Sequence, residues 1–222
     1  MRRKTVWLYG DSMFDNNAYI GRTEMNVAEH LEYLSTAKLD IYTRMLARDG
    51  AVINDVLPQI QQDCPCWENT NEYMVVAVGG NDALKSTDLL SAEITSASEY
   101  LDVVTERIQE FRADYSNLVE CIATNASPNA IFCTIYRPRF KPKTLRANGS
   151  TLLSVFNDTI IEVVSNWGYP IIDLRSVCYR KRHFANEIEP STLGSLQMAK
   201  AIRDVLATHD FTSENTTIYG GY

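Results

Sequence analysis

Thr5-Val6-Trp7-Leu8-Tyr9-Gly10-Asp11-Ser12 begins as a short apolar run of β-branched and aromatic residues and stops on a glycine and two small polar residues. The run is too short for an average helix and has the composition of a buried strand. Four more runs of this kind follow, at residues 39–46, 73–78, 130–135 and 170–174. Between them the apolar period changes. Within residues 92–123, Val104, Ile108, Phe111, Tyr115, Leu118 and Ile122 recur at intervals of four and three, which makes one apolar helical stripe. Residues 54–61, 152–167 and 191–206 add further helical patterns. This alternation predicts an α/β chain with a parallel sheet of about five strands, helices on both faces and right-handed crossovers.

No repeat, low-complexity tract or linker divides the 222 residues, so residues 1–210 read as one domain and 211–222 as a C-terminal tail. Hydrophobic residues at 45% and charged residues at 22% supply a sizeable core and exclude disorder, collagen and coiled coil. A net charge of -7 repels polyanions and weighs against nucleic-acid partners or an anionic membrane surface. The N-terminus is basic, but its apolar run ends at Gly10, too short for a signal core or a membrane span, which predicts a cytoplasmic protein. Five cysteines, an odd number, then read as reduced thiols. Cys64-Pro65-Cys66 is half a metal site with no second pair at zinc spacing, and it reads as a loop. No cofactor and no metal is expected, and nothing in the sequence bears on oligomeric state.

In open α/β sheets ligands bind beyond the carboxyl ends of the strands. Those positions hold Gly10-Asp11-Ser12, Asp49-Gly50-Ala51 and Gly79-Gly80-Asn81-Asp82. A serine at a strand-to-helix turn is lifted clear of the sheet, and neighbouring backbone N–H groups with a carboxamide can hold an oxyanion. Each tripeptide taken alone also suits an ordinary turn.

Taken together and in this order, the three blocks resemble those of the SGNH or GDSL hydrolases, esterases and acylhydrolases with a flavodoxin-like three-layer α/β/α fold. The resemblance runs over nearly the whole chain. It implies Ser12 as nucleophile, with the Ser12 and Gly50 backbone N–H groups and the Asn81 amide as oxyanion hole, acting on a small-molecule ester or acylated substrate. The fourth block departs from the family. Where the family carries Asp-x-x-His-Pro, this chain has Asn186-Glu187-Ile188-Glu189-Pro190-Ser191, so Glu189 stands in the histidine position and Asn186 in that of the aspartate.

A carboxylate is a weaker base than imidazole by about two units unless burial raises it, and donation from Asn186 would weaken it further. Such a site suits activated esters better than amides. His183, in the same loop, is the alternative base; otherwise it is a solvent-facing member of Arg180-Lys181-Arg182-His183. His30 and His209 read as structural. Asp11, Asp15, Asp82 and Glu189 form a candidate cation cluster, although acidic side chains in turns also accept backbone N–H groups. Asp173 ends the fifth strand, where it either accepts backbone N–H groups in the same way or helps to position the fourth-block loop. Arg137 and Arg139 follow the fourth strand, either as anion-recognising groups at the pocket rim or as a solvated loop. The competing function is a binding protein that keeps the pocket for an anionic or acylated ligand without turnover.

Overall fold

The computed structural model describes residues 3–62, 71–91, 93, 96–125 and 129–221. In chain order the elements are β1 (Lys4–Gly10), α1 (Val27–Tyr33), β2 (Ile41–Met45), α2 (Ile53–Gln62), β3 (Glu72–Ala77), α3 (Gly80–Leu84), α4 (Ala97–Asn125), β4 (Ala130–Cys133), α5 (Lys143–Ser165), β5 (Ile171–Ile172), α6 (Leu174–Val177), α7 (Thr192–Thr208) and β6 (Ile218–Tyr219). The strands form one sheet in the order β2-β1-β3-β4-β5-β6, parallel throughout. Five strands overlap the segments where the sequence predicts them, β1 and β3 starting one residue earlier. The sixth comes from the stretch expected to be a tail: Ile218 and Tyr219 pair with Ile171 and Ile172. Two residues are too few for periodicity to register.

The central strands are apolar on both faces, because helices cover both. Leu8, Val75, Val76, Ile131 and Phe132 have no exposed surface. One layer pairs α1 with α7; the other carries α2 against α4 and α4 against α5. The stripe read from the sequence is the buried face of α4, with Tyr115 and Ile122 at its centre. Helix α5 begins at Lys143 rather than at residue 152. Its first turns run through Asn148-Gly149-Ser150, weak helix formers held in place because Gly149 packs against the Phe140 ring. Helix α1 starts on a capping box, in which Asn26 Oδ1 accepts from the Glu29 N–H at 3.0 Å and Glu29 Oε2 accepts from the Asn26 N–H at 2.9 Å.

After β1 the chain adds β2 on one side, then returns to add β3 on the other. The order therefore reverses at β1 and β3, which puts a crevice beyond their carboxyl ends. Gly10 and Ala77 are the last register partners there. At φ +130° with Ala77 O only 1.8 Å from an added Cβ, position 10 admits no side chain, and β1 turns at once into Asp11 and Ser12. Beyond the ladder, Gln59 from α2 stands in for a strand: it accepts from the Gly10 N–H and donates to the Gly10 carbonyl, both at 2.9 Å. Asn157 from α5 does the same at the end of β4, accepting from the Ile135 N–H at 2.7 Å and donating to its carbonyl at 2.8 Å.

Candidate active site

Ser12, Asn81 and Glu189 line one cleft at this switch point, together with Asp11. Three parts of the chain distant in sequence supply its polar end. Ser12 is 7% exposed and Glu189 6%. The Ser12 side chain stands beside the Glu189 carboxylate and is the one neighbour that favours its charged form. Burial outweighs that contact and raises the Glu189 pKa above the ordinary glutamate value, with the Asp49 charge adding to the rise. Glu189 Oε2 is buried with no hydrogen-bond partner. The carboxylate thus has an unoccupied oxygen beside a serine hydroxyl.

Asp11 is the second carboxyl in the cleft. Its Oδ1 accepts from the Met13 N–H at 2.9 Å, and its Oδ2 has no partner of normal geometry. Complete burial pushes its pKa up to about 8, and the Glu189 and Asp82 charges act in the same direction. At neutral pH Asp11 is protonated. Asn81 donates one amide N–H to the Ala51 carbonyl at 2.8 Å, which anchors α3 to the turn after β2 and leaves the second N–H of the amide for the cleft. Asp82 Oδ2 accepts from the Ile53 N–H at 3.0 Å at the start of α2, and Asp15 Oδ2 accepts from the Asp49 N–H at 3.1 Å. The carboxylates serve as turn and helix-start acceptors. Among the described residues no group of three His, Cys, Asp or Glu side chains is arranged to hold a metal ion.

Several expected site residues stand elsewhere. Gly50 adopts φ +79° in the tight turn after β2 but is not part of the cleft lining. Asn186 is exposed, and its Oδ1 accepts from the N–H groups of Ile188 and Glu189 at 2.9 and 2.8 Å. It therefore shapes the loop backbone and is a positioning residue; its amide makes no hydrogen bond to the Glu189 carboxylate. His183 neither reaches Ser12 nor faces solvent. It is 4% exposed, packs edge-on against Tyr179 with ring centroids 5.7 Å apart, and lines a separate cavity. The loop pairs back on itself, with Ser191 N–H donating to the His183 carbonyl at 3.0 Å and Ala185 N–H to that of Glu189 at 2.9 Å, and the two side chains line different cavities. His30 bonds Thr192 Oγ1 at 3.0 Å and His209 bonds the Tyr219 hydroxyl at 3.0 Å, both structural contacts. Asp173 caps α6 and pairs with Arg175 at 2.7 Å.

Past β4 the chain stays extended, and alternate residues face the cleft. Tyr136, Pro138 and Phe140 line it, whereas Arg137 is exposed and Arg139 turns to the loop, reaching the Tyr179 carbonyl at 3.4 Å and the Phe184 ring. The rim is apolar there, not cationic. Leu84, Leu90, Ile135, Leu153 and Phe156 complete a cleft of about 660 Å³ with Ser12, Asn81 and Glu189 at its polar end. Asn16 is a site-shaping residue that sequence reading missed. Fully buried, it donates to the Pro190 carbonyl at 2.9 Å and to Ser195 Oγ at 3.0 Å, joining the turn after β1 to the loop that carries Glu189. The available signal was a carboxamide four residues beyond Ser12.

No family model matches the chain, and no curated protein is significantly similar to it. Solved structures are. The extracellular lipase of Streptomyces rimosus is 14% identical with a TM-score of 0.64, over 92% of this chain and 100% of that one. The lipase/acylhydrolase of Enterococcus faecalis is 16% identical with a TM-score of 0.63, over 91% and 95%. A catalytic mutant of an acetylxylan esterase from Geobacillus stearothermophilus is 14% identical with a TM-score of 0.64, over 93% and 95%. The fold is the one shared by these lipases and esterases, over almost the whole chain.

Proposed function

We propose that this protein is an SGNH-like serine hydrolase of small carboxylic esters, with Ser12 as nucleophile and Glu189 as its base. The observation that carries the reading is the juxtaposition of Ser12 with the buried Glu189 carboxylate, at the polar end of a cleft that also presents Asn81. The fold likeness to lipases and esterases supports it.

The two carboxyls divide their roles by environment. Asp11, pushed up to about 8, is neutral at pH 7 and leaves Glu189 as the anion next to Ser12. Glu189 takes the hydroxyl proton as Ser12 Oγ bonds the ester carbonyl carbon. Charge gathers on the carbonyl oxygen, where the second Asn81 N–H and the Ser12 backbone N–H receive it. When the C–O bond to the alcohol breaks, the alkoxide takes the proton from Glu189 and an acyl-Ser12 remains. Water then gives a proton to Glu189 and its hydroxide to the acyl carbon; on collapse that proton returns to Ser12 Oγ, and the acid leaves. The Leu84, Leu90, Leu153 and Phe156 walls suit an apolar acyl group.

Asn186 holds the Glu189 backbone in register, and Asn16 holds the Pro190 carbonyl behind it. The deciding experiment is steady-state hydrolysis of p-nitrophenyl acetate and butyrate by the wild type beside Ser12→Ala. Turnover that disappears with the hydroxyl supports the hydrolase. Identical rates favour a second reading, a non-catalytic protein that binds an acylated ligand. That reading draws on Gly50, a third oxyanion donor by family resemblance, which is absent from the cleft lining.

A further inference from the structure

Beyond the carboxyl ends of β5 and β6 lies a second cavity, of about 1080 Å³, that shares no lining residue with the Ser12 cleft. Its floor is the chain after β6, where Gly221 N–H donates to Ser176 Oγ at 2.9 Å. Arg180, Arg182 and His183 form one wall, and Lys200 on α7 faces them. In a chain whose net charge is -7, three cations converge on this one concavity. None of the three is in an ion pair among the described residues. Among the described residues the only carboxylate in the lining is Asp204, and it is already paired with Arg203 at 2.6 Å. His183 is 4% exposed and its Nδ1 is buried without a hydrogen-bond partner of normal geometry.

Arg180 Nε donates to the Tyr179 hydroxyl at 3.0 Å, but cations that lack a carboxylate partner in a concave site, with the nearest acid neutralised elsewhere, form a receptor for an anion. Guanidinium groups bind phosphoryl oxygens through paired N–H donors, and Lys200 supplies a point charge opposite them. We propose that this cavity binds a small soluble phosphate ester or pyrophosphate-bearing molecule through Arg180, Arg182 and Lys200. A compact anion fits better than a long polyanion, because three cations balance only a few negative charges and the negative remainder of the protein repels an extended chain.

The test is calorimetric titration of the full chain with inorganic pyrophosphate in about 0.1 M KCl, where exposed charges are largely screened. Saturable binding at one site per chain is expected. Arg182→Glu with Lys200→Glu is expected to lower affinity at least about tenfold, while Arg22→Glu with Lys38→Glu, an equal change in net charge at exposed positions outside the cavity, leaves it within about twofold. If the charge-reversed pair does not fold, Arg182→Gln with Lys200→Gln gives the same reading. No saturable heat up to about 10 mM ligand overturns the proposal, as does equal loss of affinity in the Arg22/Lys38 pair. The readout is binding alone and is independent of whether Ser12 turns over any ester.

Discussion

The Asn16 side chain reaches across 174 positions of sequence to donate to the Pro190 carbonyl at 2.9 Å. That one hydrogen bond fastens the turn carrying Ser12 to the loop carrying Glu189. Both ends are buried, so its loss leaves a carbonyl without water or partner. Asn16→Ala is expected to lower stability by about 1–3 kcal/mol. It should also lower kcat more than it raises KM, because the apolar cleft that binds the acyl group is built elsewhere. Chemical denaturation beside steady-state kinetics measures both, and an unchanged kcat would remove the positioning role.

Glu189→Gln keeps the shape of the side chain and removes its basicity. Ester hydrolysis should fall by about 10³-fold or more, close to the loss in Ser12→Ala, as expected when nucleophile and base act as a unit. His183→Ala, altering a residue in a separate cavity, should retain the wild-type rate within about threefold. The reverse pattern of rates would transfer the base to His183.

The pH profile carries a sign. Burial raises the Glu189 pKa, and the carboxylate acts as base only when ionised. Activity is therefore expected to be lost as pH falls through a midpoint above the ordinary glutamate value of 4.5. The free-enzyme midpoint appears in kcat/KM. A midpoint that stays in place in Glu189→Asp but moves in a histidine variant would contradict the assignment.

Asp11 makes stability depend on pH in the opposite sense to most carboxylates. Its folded pKa, about 8, lies above its unfolded value near 3.8, so between these values the native state binds the extra proton. The Asp11 contribution is present below pH 4 and is lost as pH rises towards 8, with a slope of at most about 1.4 kcal/mol per unit. Burial holds His30, His183 and His209 below the ordinary histidine value, which adds a contribution of the other sign near and below pH 6.5. The difference between wild type and Asp11→Asn isolates the carboxyl. Denaturation midpoints at pH 5 and 8 should converge in the variant relative to the parent.

Asn157 pairs with both backbone groups of Ile135, at no exposure. Asn157→Leu, close in volume, leaves a buried N–H and C=O unpaired and is expected to cost roughly 2–4 kcal/mol. Thermal unfolding checks it. A shift no larger than that of a surface substitution would show that water reaches the end of β4.

The alternation of apolar runs and helical stripes determined five strands, the main helices and their parallel arrangement, because a buried strand and an amphipathic helix each write their period into neighbouring residues. Ser12 and Asn81 were legible for a similar reason: they stand directly after strands, and strand ends in such a sheet converge on one crevice. Glu189 was legible through its frame, Pro190, Ser191 and Gly194 leading into α7. Long-range closure decided the rest. The alternation of Tyr136, Pro138 and Phe140 against Arg137 and Arg139 could be read only once the path of the chain past β4 was known, and it makes the rim apolar. His183 and Glu189 are six residues apart in one loop, yet they line different cavities. Asn16, Gln59 and Asn157 each bond a backbone that is remote in sequence, and the environment that keeps Asp11 protonated is assembled from several such segments. Local periodicity records which face of an element is buried. It does not record what that face meets, because hydrogen bonds and desolvation depend on distances that only the folded chain sets.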